Sequence, residues 1–246
     1  MKHLVCLACC LLVVACSTGS VPAPETVQAS NPAGSNLQRP VHWTRNSAEY
    51  QAIVLQTYAL AGERLEERVK GMEPGSWAVA ADADETLIDN SLYEKELVRR
   101  GTDSTDELWA AWVARKVATP LPGALEFLER VQDLGGHITV VTNRKERDCP
   151  ATRDNLEAIG MPFDVVLCRT DSREKEPRWE SIERGTASPD LPPVEIVMWL
   201  GDNITDFPAM DQESRFSSPG AFGDFGSRFF AFPNPSYGSW ETNPFD

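Results

Sequence analysis

Asp82 and Asp84 stand two residues apart where a short apolar run, Ser76-Trp77-Ala78-Val79-Ala80-Ala81, gives out. The run reads as a buried strand. In extended backbone, residues i and i+2 point to the same side, so the two carboxylates project together. Clustered carboxylates repel, and a divalent cation relieves that repulsion. A solvated acidic turn would also explain such a pair taken alone. Three later stretches argue for chemistry instead. Residues 137–141 form a second strand run that delivers Thr142, Asn143 and Arg144. A hydroxyl and free main-chain amides at a strand end suit a phosphate oxygen. Residues 169–178 are densely charged and contain Lys175. A solvated helix start accounts for most of those charges, but a phosphate beside two carboxylates needs one cation to offset it. Residues 194–200 form a third strand run, ending in Gly201-Asp202-Asn203-Ile204-Thr205-Asp206. Gly201 allows close backbone approach. Ligands of open α/β sheets bind at the carboxyl ends of strands, and here three strands end in acid or hydroxyl groups.

The elements between these stretches fit that arrangement. Residues 46–70 read as one helix, with Ser47 as N-cap and Tyr50, Ile53, Val54, Tyr58, Leu65 and Val69 at helical spacing. Residues 90–120 read as an extra helical block, since a parallel crossover needs only one helix. Asp103, Ser104 and Thr105 open a helix bearing Trp109 and Trp112, three apart on one face. Core packing and a wall of the site are both open to these tryptophans, and one of them is expected to face the pocket. A helix follows Pro122-Gly123-Ala124, with Leu125, Phe127, Leu128, Val131 and Leu134 as its apolar face. Residues 150–159 read as a helix and 163–167 as a strand. The alternation of strands and helices predicts an α/β fold: a Rossmann-like parallel sheet flanked by helices, with a small helical cap inserted after the first strand.

The 246-residue chain is long enough for one domain with a core. Its formal net charge of −14 excludes a binder of nucleic-acid polymers. It does not exclude a small phosphate ester held by a metal and a few cations. Lys2 and His3 precede an apolar stretch, residues 4–15, too short to span a membrane comfortably. The stretch ends Val13-Val14-Ala15-Cys16, which resembles a bacterial lipobox. Residues 1–15 are therefore expected to be a lipoprotein signal peptide and Cys16 the lipidated residue, with an ordinary secretory signal as the alternative. Acylation would anchor the protein to a membrane. Ser17 after the cysteine points to the outer membrane, with the domain in the periplasm or at the cell surface. Residues 16–42 read as a flexible tether and 43–246 as the folded domain.

Taken together, Asp82-x-Asp84-x-Thr86, Thr142, Lys175 and Gly201-Asp202-Asn203-x-x-Asp206 resemble the haloacid dehalogenase superfamily of phosphohydrolases. Within it the chain is most similar to bacterial class C acid phosphatases, including the lipoprotein e (P4) type. Asn46-Ser47-Ala48-Glu49-Tyr50, Lys175-Glu176-Pro177-Arg178 and Pro233-Asn234-Pro235-Ser236-Tyr237-Gly238 carry that closer likeness. The resemblance implies that Asp82 attacks phosphorus and that Asp84 protonates the leaving group and then activates water. It implies Mg2+ held by Asp82, the Asp84 main-chain carbonyl and Asp202, with Asp206 orienting Asp202 or a metal-bound water. Lys175 would neutralise the nucleophile and the phosphoryl group, while Thr142, Asn143 and Arg144 would bind phosphate. The implied substrates are small phosphomonoesters, foremost nucleoside 5′-monophosphates, whose base Trp109 and Tyr237 could stack upon. Tyr93 and Trp240 are further aromatic candidates. Whether the chain pairs as a homodimer is left open.

Two rival readings of the sequence are a receiver-like signalling domain, which lacks a second acid two residues after its aspartate, and a non-catalytic surface lipoprotein that binds metal or a partner. The cysteines give a separate expectation. With the signal removed and Cys16 acylated, Cys149 and Cys168 are the remaining pair. In an oxidising compartment, on strands joined by one helix, they are expected to form a disulfide.

Overall fold

The computed structural model describes residues 38–244. The expected signal peptide, Cys16 and most of the expected tether lie outside them. In chain order come α1 (Arg39–Asn46), α2 (Ala48–Arg68), β1 (Trp77–Ala81), β2 (Ile88–Asp89), α3 (Ser91–Arg100) and α4 (Asp106–Val113). They are followed by β3 (Thr119–Pro120), α5 (Ala124–Asp133), β4 (His137–Lys145), α6 (Cys149–Ala158) and β5 (Val165–Arg169). Then come α7 (Glu176–Glu183), β6 (Glu195–Gly201) and β7 (Phe229–Ala231). Five strands make one parallel sheet in the order β5-β4-β1-β6-β7. All five residues of β1 are buried, as expected of a strand covered on both faces. On one face Val79, Ala81, Ile138 and Val140 pack with residues of α2, α5 and α6, including Leu65, Phe127 and Leu156. On the other, Ala78, Ala80, Val141 and Trp199 pack with Trp179 and Ile182 of α7 and with Phe207.

Local chemistry sets the element ends. Ser47 caps α2 by accepting from the Tyr50 N–H at 3.1 Å. Thr105 does the same for α4 through the Leu108 N–H at 3.2 Å. Between β1 and α5 stands the cap, α3 and α4, on a two-stranded antiparallel stem in which Ile88 pairs with Pro120 and Asp89 with Thr119. Four features depart from the sequence reading. The helix α1 begins at Arg39, inside the stretch read as tether, because Pro40 suits a first helical turn and Val41 is buried. The stem β2–β3 and the short edge strand β7 were not foreseen. The strand β4 runs on to Lys145, and its pairing with β5 is interrupted between Val141 and Lys145. That interruption frees residues 142–144 to face the sheet's carboxyl edge.

Candidate active site

Four loops at the carboxyl edge bring the acids together. Asp82 follows β1, and its main-chain N–H donates to the Leu200 carbonyl of β6 at 2.9 Å. Lys175, the residue before α7, is 2% exposed. Its Nζ lies 2.5 Å from Asp82 Oδ1 and 2.6 Å from Asp206 Oδ1. The other oxygen of Asp206 accepts the Asn203 N–H at 2.9 Å, closing the turn after β6. Gly201 is required there, because any side chain would collide with Asp206. Asp202 Oδ2 accepts from Asn234 Nδ2 at 2.7 Å.

Burial pushes Asp82 up to about 7; Lys175 offsets part of this, while Asp206 and Asp84 push the same way as burial. Asp202 is raised well above the carboxylate range, first by burial and then by Asp206 and Asp82. Burial alone would lower Lys175, but Asp206 and Asp82 outweigh it and hold the ammonium charged. One carboxylate oxygen each from Asp82, Asp202 and Asp206 lie within 4.8 Å of one another. This oxygen-only donor set fits a hard divalent cation, whose charge would relieve the repulsion raising Asp82 and Asp202. Asp206 already spends both oxygens on Lys175 and Asn203, so Asp82 and Asp202 are the carboxylates with oxygens to give.

Asp84 is held from the side. Arg144 grips it with Nη2 at 2.6 Å and Nε at 3.0 Å from Oδ1, and Nε at 3.1 Å from Oδ2. Asn90 Nδ2 adds a bond to Oδ1 at 2.8 Å. Arg144 is 3% exposed and reaches Thr152 Oγ1 as well. Its guanidinium faces Asp84, and Arg144 also lines the cleft under the cap. Thr142 is fully buried, and its hydroxyl accepts the Arg144 N–H at 3.1 Å. Asn143 lines the site, with its Oδ1 accepting from Arg178 Nη2 at 2.8 Å. Arg178 also donates to the carbonyls of Thr142 and Leu167, tying the ends of β4 and β5 to α7.

Two clefts of about 1030 and 860 Å³ meet at Asp84. One runs past Asp202, Asn203, Met210 and Ser239. The other runs under the cap past Tyr93, Glu94, Trp109, Arg169 and Arg173. Tyr237 and Glu241 line both. Of the two cap tryptophans, Trp109 faces a cleft and Trp112 is buried. The Trp109 ring sits edge-on to Tyr93 at 5.2 Å and under the Arg144 guanidinium at 5.4 Å. Asn90, Arg178 and Asn234 were not singled out from the sequence. Arg178 and Asn234 lie in stretches that carried the family resemblance, whereas a lone amide such as Asn90 gives no periodic signal. Cys149 and Cys168 form the expected disulfide, with Cα atoms 5.9 Å apart, and join α6 to β5.

Residues 3–240 match the family described as HAD superfamily, subfamily IIIB (Acid phosphatase). Among solved structures, the class C acid phosphatase from Bacillus anthracis is similar at 28% identity and a TM-score of 0.75. The match covers 83% of this chain and 86% of that one, both for the protein alone and for its tungstate-bound form. Phosphatases of this superfamily generally use a divalent metal, in keeping with the acidic donor set at Asp82 and Asp202. With its motifs at the carboxyl edge of a parallel sheet and the match running through almost its whole length, the chain belongs to the acid phosphatases of the haloacid dehalogenase superfamily, subfamily IIIB, and is a phosphomonoesterase.

Proposed function

We propose that the protein is an exported, lipid-anchored, magnesium-dependent phosphatase that hydrolyses nucleoside 5′-monophosphates through a phosphorylated Asp82. The observation that carries the catalytic part is Lys175 wedged between Asp82 and Asp206 with Asp84 and Asp202 on the same edge. Lys175 draws charge from Asp82 and keeps its carboxylate fixed for attack. An Asp82 oxygen attacks phosphorus as the ester P–O bond breaks, and the leaving alkoxide takes the proton of the Asp84 carboxyl. The alcohol departs. Asp84, now ionised, takes a proton from water, whose oxygen attacks the same phosphorus. The bond to Asp82 breaks, and inorganic phosphate and the free carboxylate result. Asn143, through its side chain and main-chain N–H, would hold the phosphoryl oxygens beside Thr142. Asp82, Asp202 and the Asp84 carbonyl would hold Mg2+, which supplies positive charge to the transferring phosphoryl group. Tungstate is a tetrahedral oxyanion like phosphate, and its binding by the Bacillus anthracis enzyme supports an oxyanion pocket in this relative.

Nucleotide preference rests on Tyr237 and Trp109 in the walls of the clefts. The two rings suit a planar base, at about 1–3 kcal/mol per stacked base. Membrane anchoring rests on residues 1–16 of the sequence alone.

Magnesium-dependent phosphate release by a chain starting after Cys16 tests the reading, with Asp82→Asn expected to be inactive yet folded. Wild-type turnover by that variant would sink the mechanism. Tyr237→Ala is expected to raise KM for a nucleotide far more than for a small alkyl phosphate, and equal effects would remove the stacking. Cys16→Ser in the full chain should shift the protein from the membrane to the soluble fraction. Unchanged membrane association would remove the anchor.

A further inference from the structure

We propose that Asn90 is the positioning residue that fixes the proton-carrying carboxylate of Asp84, with Trp112 making the cap part of the clamp. The proposal rests on Asp84 acting as the acid and base of the reaction above. Asn90 is fully buried at the junction between the stem and α3. Its side chain makes bonds on both ends. Nδ2 donates to Asp84 Oδ1 at 2.8 Å and to Glu85 Oε2 at 3.3 Å. Oδ1 accepts from Trp112 Nε1 at 2.8 Å and from Arg144 Nη2 at 3.3 Å. The indole and the guanidinium can only donate. The amide orientation is thereby fixed: turning it over would set an N–H against two donors and an oxygen against two carboxylates.

An amide has two N–H groups and two lone pairs, and here all four are used. No freedom remains for it to drift without stranding a buried polar group, which is costly. The Asn90 main-chain N–H also donates to Glu85 Oε1 at 2.7 Å. That bond helps hold Glu85 in the left-handed conformation, φ 50°, that side-chain-bearing residues seldom adopt.

The consequence for Asp84 is an asymmetry between its oxygens. Oδ1 accepts three N–H bonds, from Asn90 Nδ2, Arg144 Nε and Arg144 Nη2. Among the described residues, Oδ2 accepts only a shared bond from Arg144 Nε at 3.1 Å. Oδ1 is the anchored oxygen, and Oδ2 is the one that carries the proton to the leaving group. Trp112 belongs to α4 and packs on Tyr93 of α3, ring centroids 5.9 Å apart. The Trp112 indole N–H therefore links the cap to the acid through Asn90, beside the contact of the Trp109 ring with the Arg144 guanidinium.

A misplaced acid hurts most when the leaving group needs its proton. Nitrophenolate departs almost unaided, whereas an alkoxide does not. The test compares kcat/KM, which reports the first chemical step, for p-nitrophenyl phosphate and glycerol 2-phosphate on the purified full chain in detergent. Asn90→Ala is expected to lose about tenfold or more on the alkyl ester beyond its loss on the aryl ester. Trp112→Phe keeps an aromatic side chain while removing the donor and part of the buried indole, so it should lose about threefold more on the alkyl ester. Circular dichroism checks folding, and Trp112→Phe carries the test if Asn90→Ala fails to fold. Losses equal on both esters in a folded variant overturn the proposal, since a general structural defect is blind to the leaving group. Asp84→Asn, run beside them, separates the two readings. If it loses activity chiefly on the alkyl ester while Asn90→Ala loses both equally, the clamp alone fails. If it keeps wild-type activity, the role of Asp84 fails first.

Discussion

Lys175 keeps its charge at 2% exposure because two carboxylates from different strand ends face it at hydrogen-bonding distance. One carboxylate already matches the ammonium, and the second leaves the buried trio with an excess negative charge, which is costly unless answered. Glu94, on the cap helix α3, is balanced differently. Burial, and then the charge of Glu241, pushes Glu94 from the ordinary 4.5 up to about 7. A carboxyl raised in the folded state binds its proton more tightly there than in the unfolded chain. Its contribution to stability is therefore full below about pH 4.5 and is lost as pH rises through about 7. Glu94→Gln removes that dependence. Its melting temperature should match wild type near pH 4 and exceed it at about pH 8, as thermal unfolding across that range will read. Parallel curves at all pH values would show that Glu94 ionises freely.

At the scale of elements, the disulfide joins the first turn of α6 to β5 across 19 positions of sequence. A loop of that length is worth about 3 kcal/mol through the unfolded chain. Cys149→Ser with Cys168→Ser should therefore lower the urea midpoint by a corresponding amount. It should also weaken substrate binding, because β5 leads directly into the loop carrying Arg173 and Lys175. Unchanged stability would show that the bridge constrains nothing the core does not already hold. The strands bearing chemistry were legible in the sequence because each apolar run stops abruptly at a polar motif. The strand β7 was not, since it is three residues long within a loop-like stretch. The helix α1 was missed because a single proline and one buried valine are too little periodicity to stand out from a tether. Asp82, Lys175, Asp202 and Asp206 were legible and lie together in the fold. The partner of Arg144 was not, since Asp84 lies 60 residues earlier and only the fold brings the two together. Asn90 was hidden for the same reason, its indole partner being 22 residues on.

Over the whole molecule the acidic excess, −14 by formal charge, is concentrated in consequence rather than in number: burial and mutual repulsion raise Asp82 and Asp202. A bound divalent cation stabilises the folded state by mass action, and it does so by answering that repulsion. Chelation should lower the melting temperature at about pH 7.5 and do so much less at about pH 5, where protons already neutralise the acids. Added magnesium should restore it. An equal drop at both pH values would mean that the cation sits elsewhere. The order β5-β4-β1-β6-β7 has one more consequence. The strand that ends in Asp82 is the middle of five, bonded on both sides, while the cap hangs from a ladder of two residue pairs. Amide hydrogens along β1 can reach solvent only when the entire sheet comes apart, whereas those of the cap need only a local opening. Asp82 thus shares the lifetime of the fold, and the roof above it keeps a faster clock of its own.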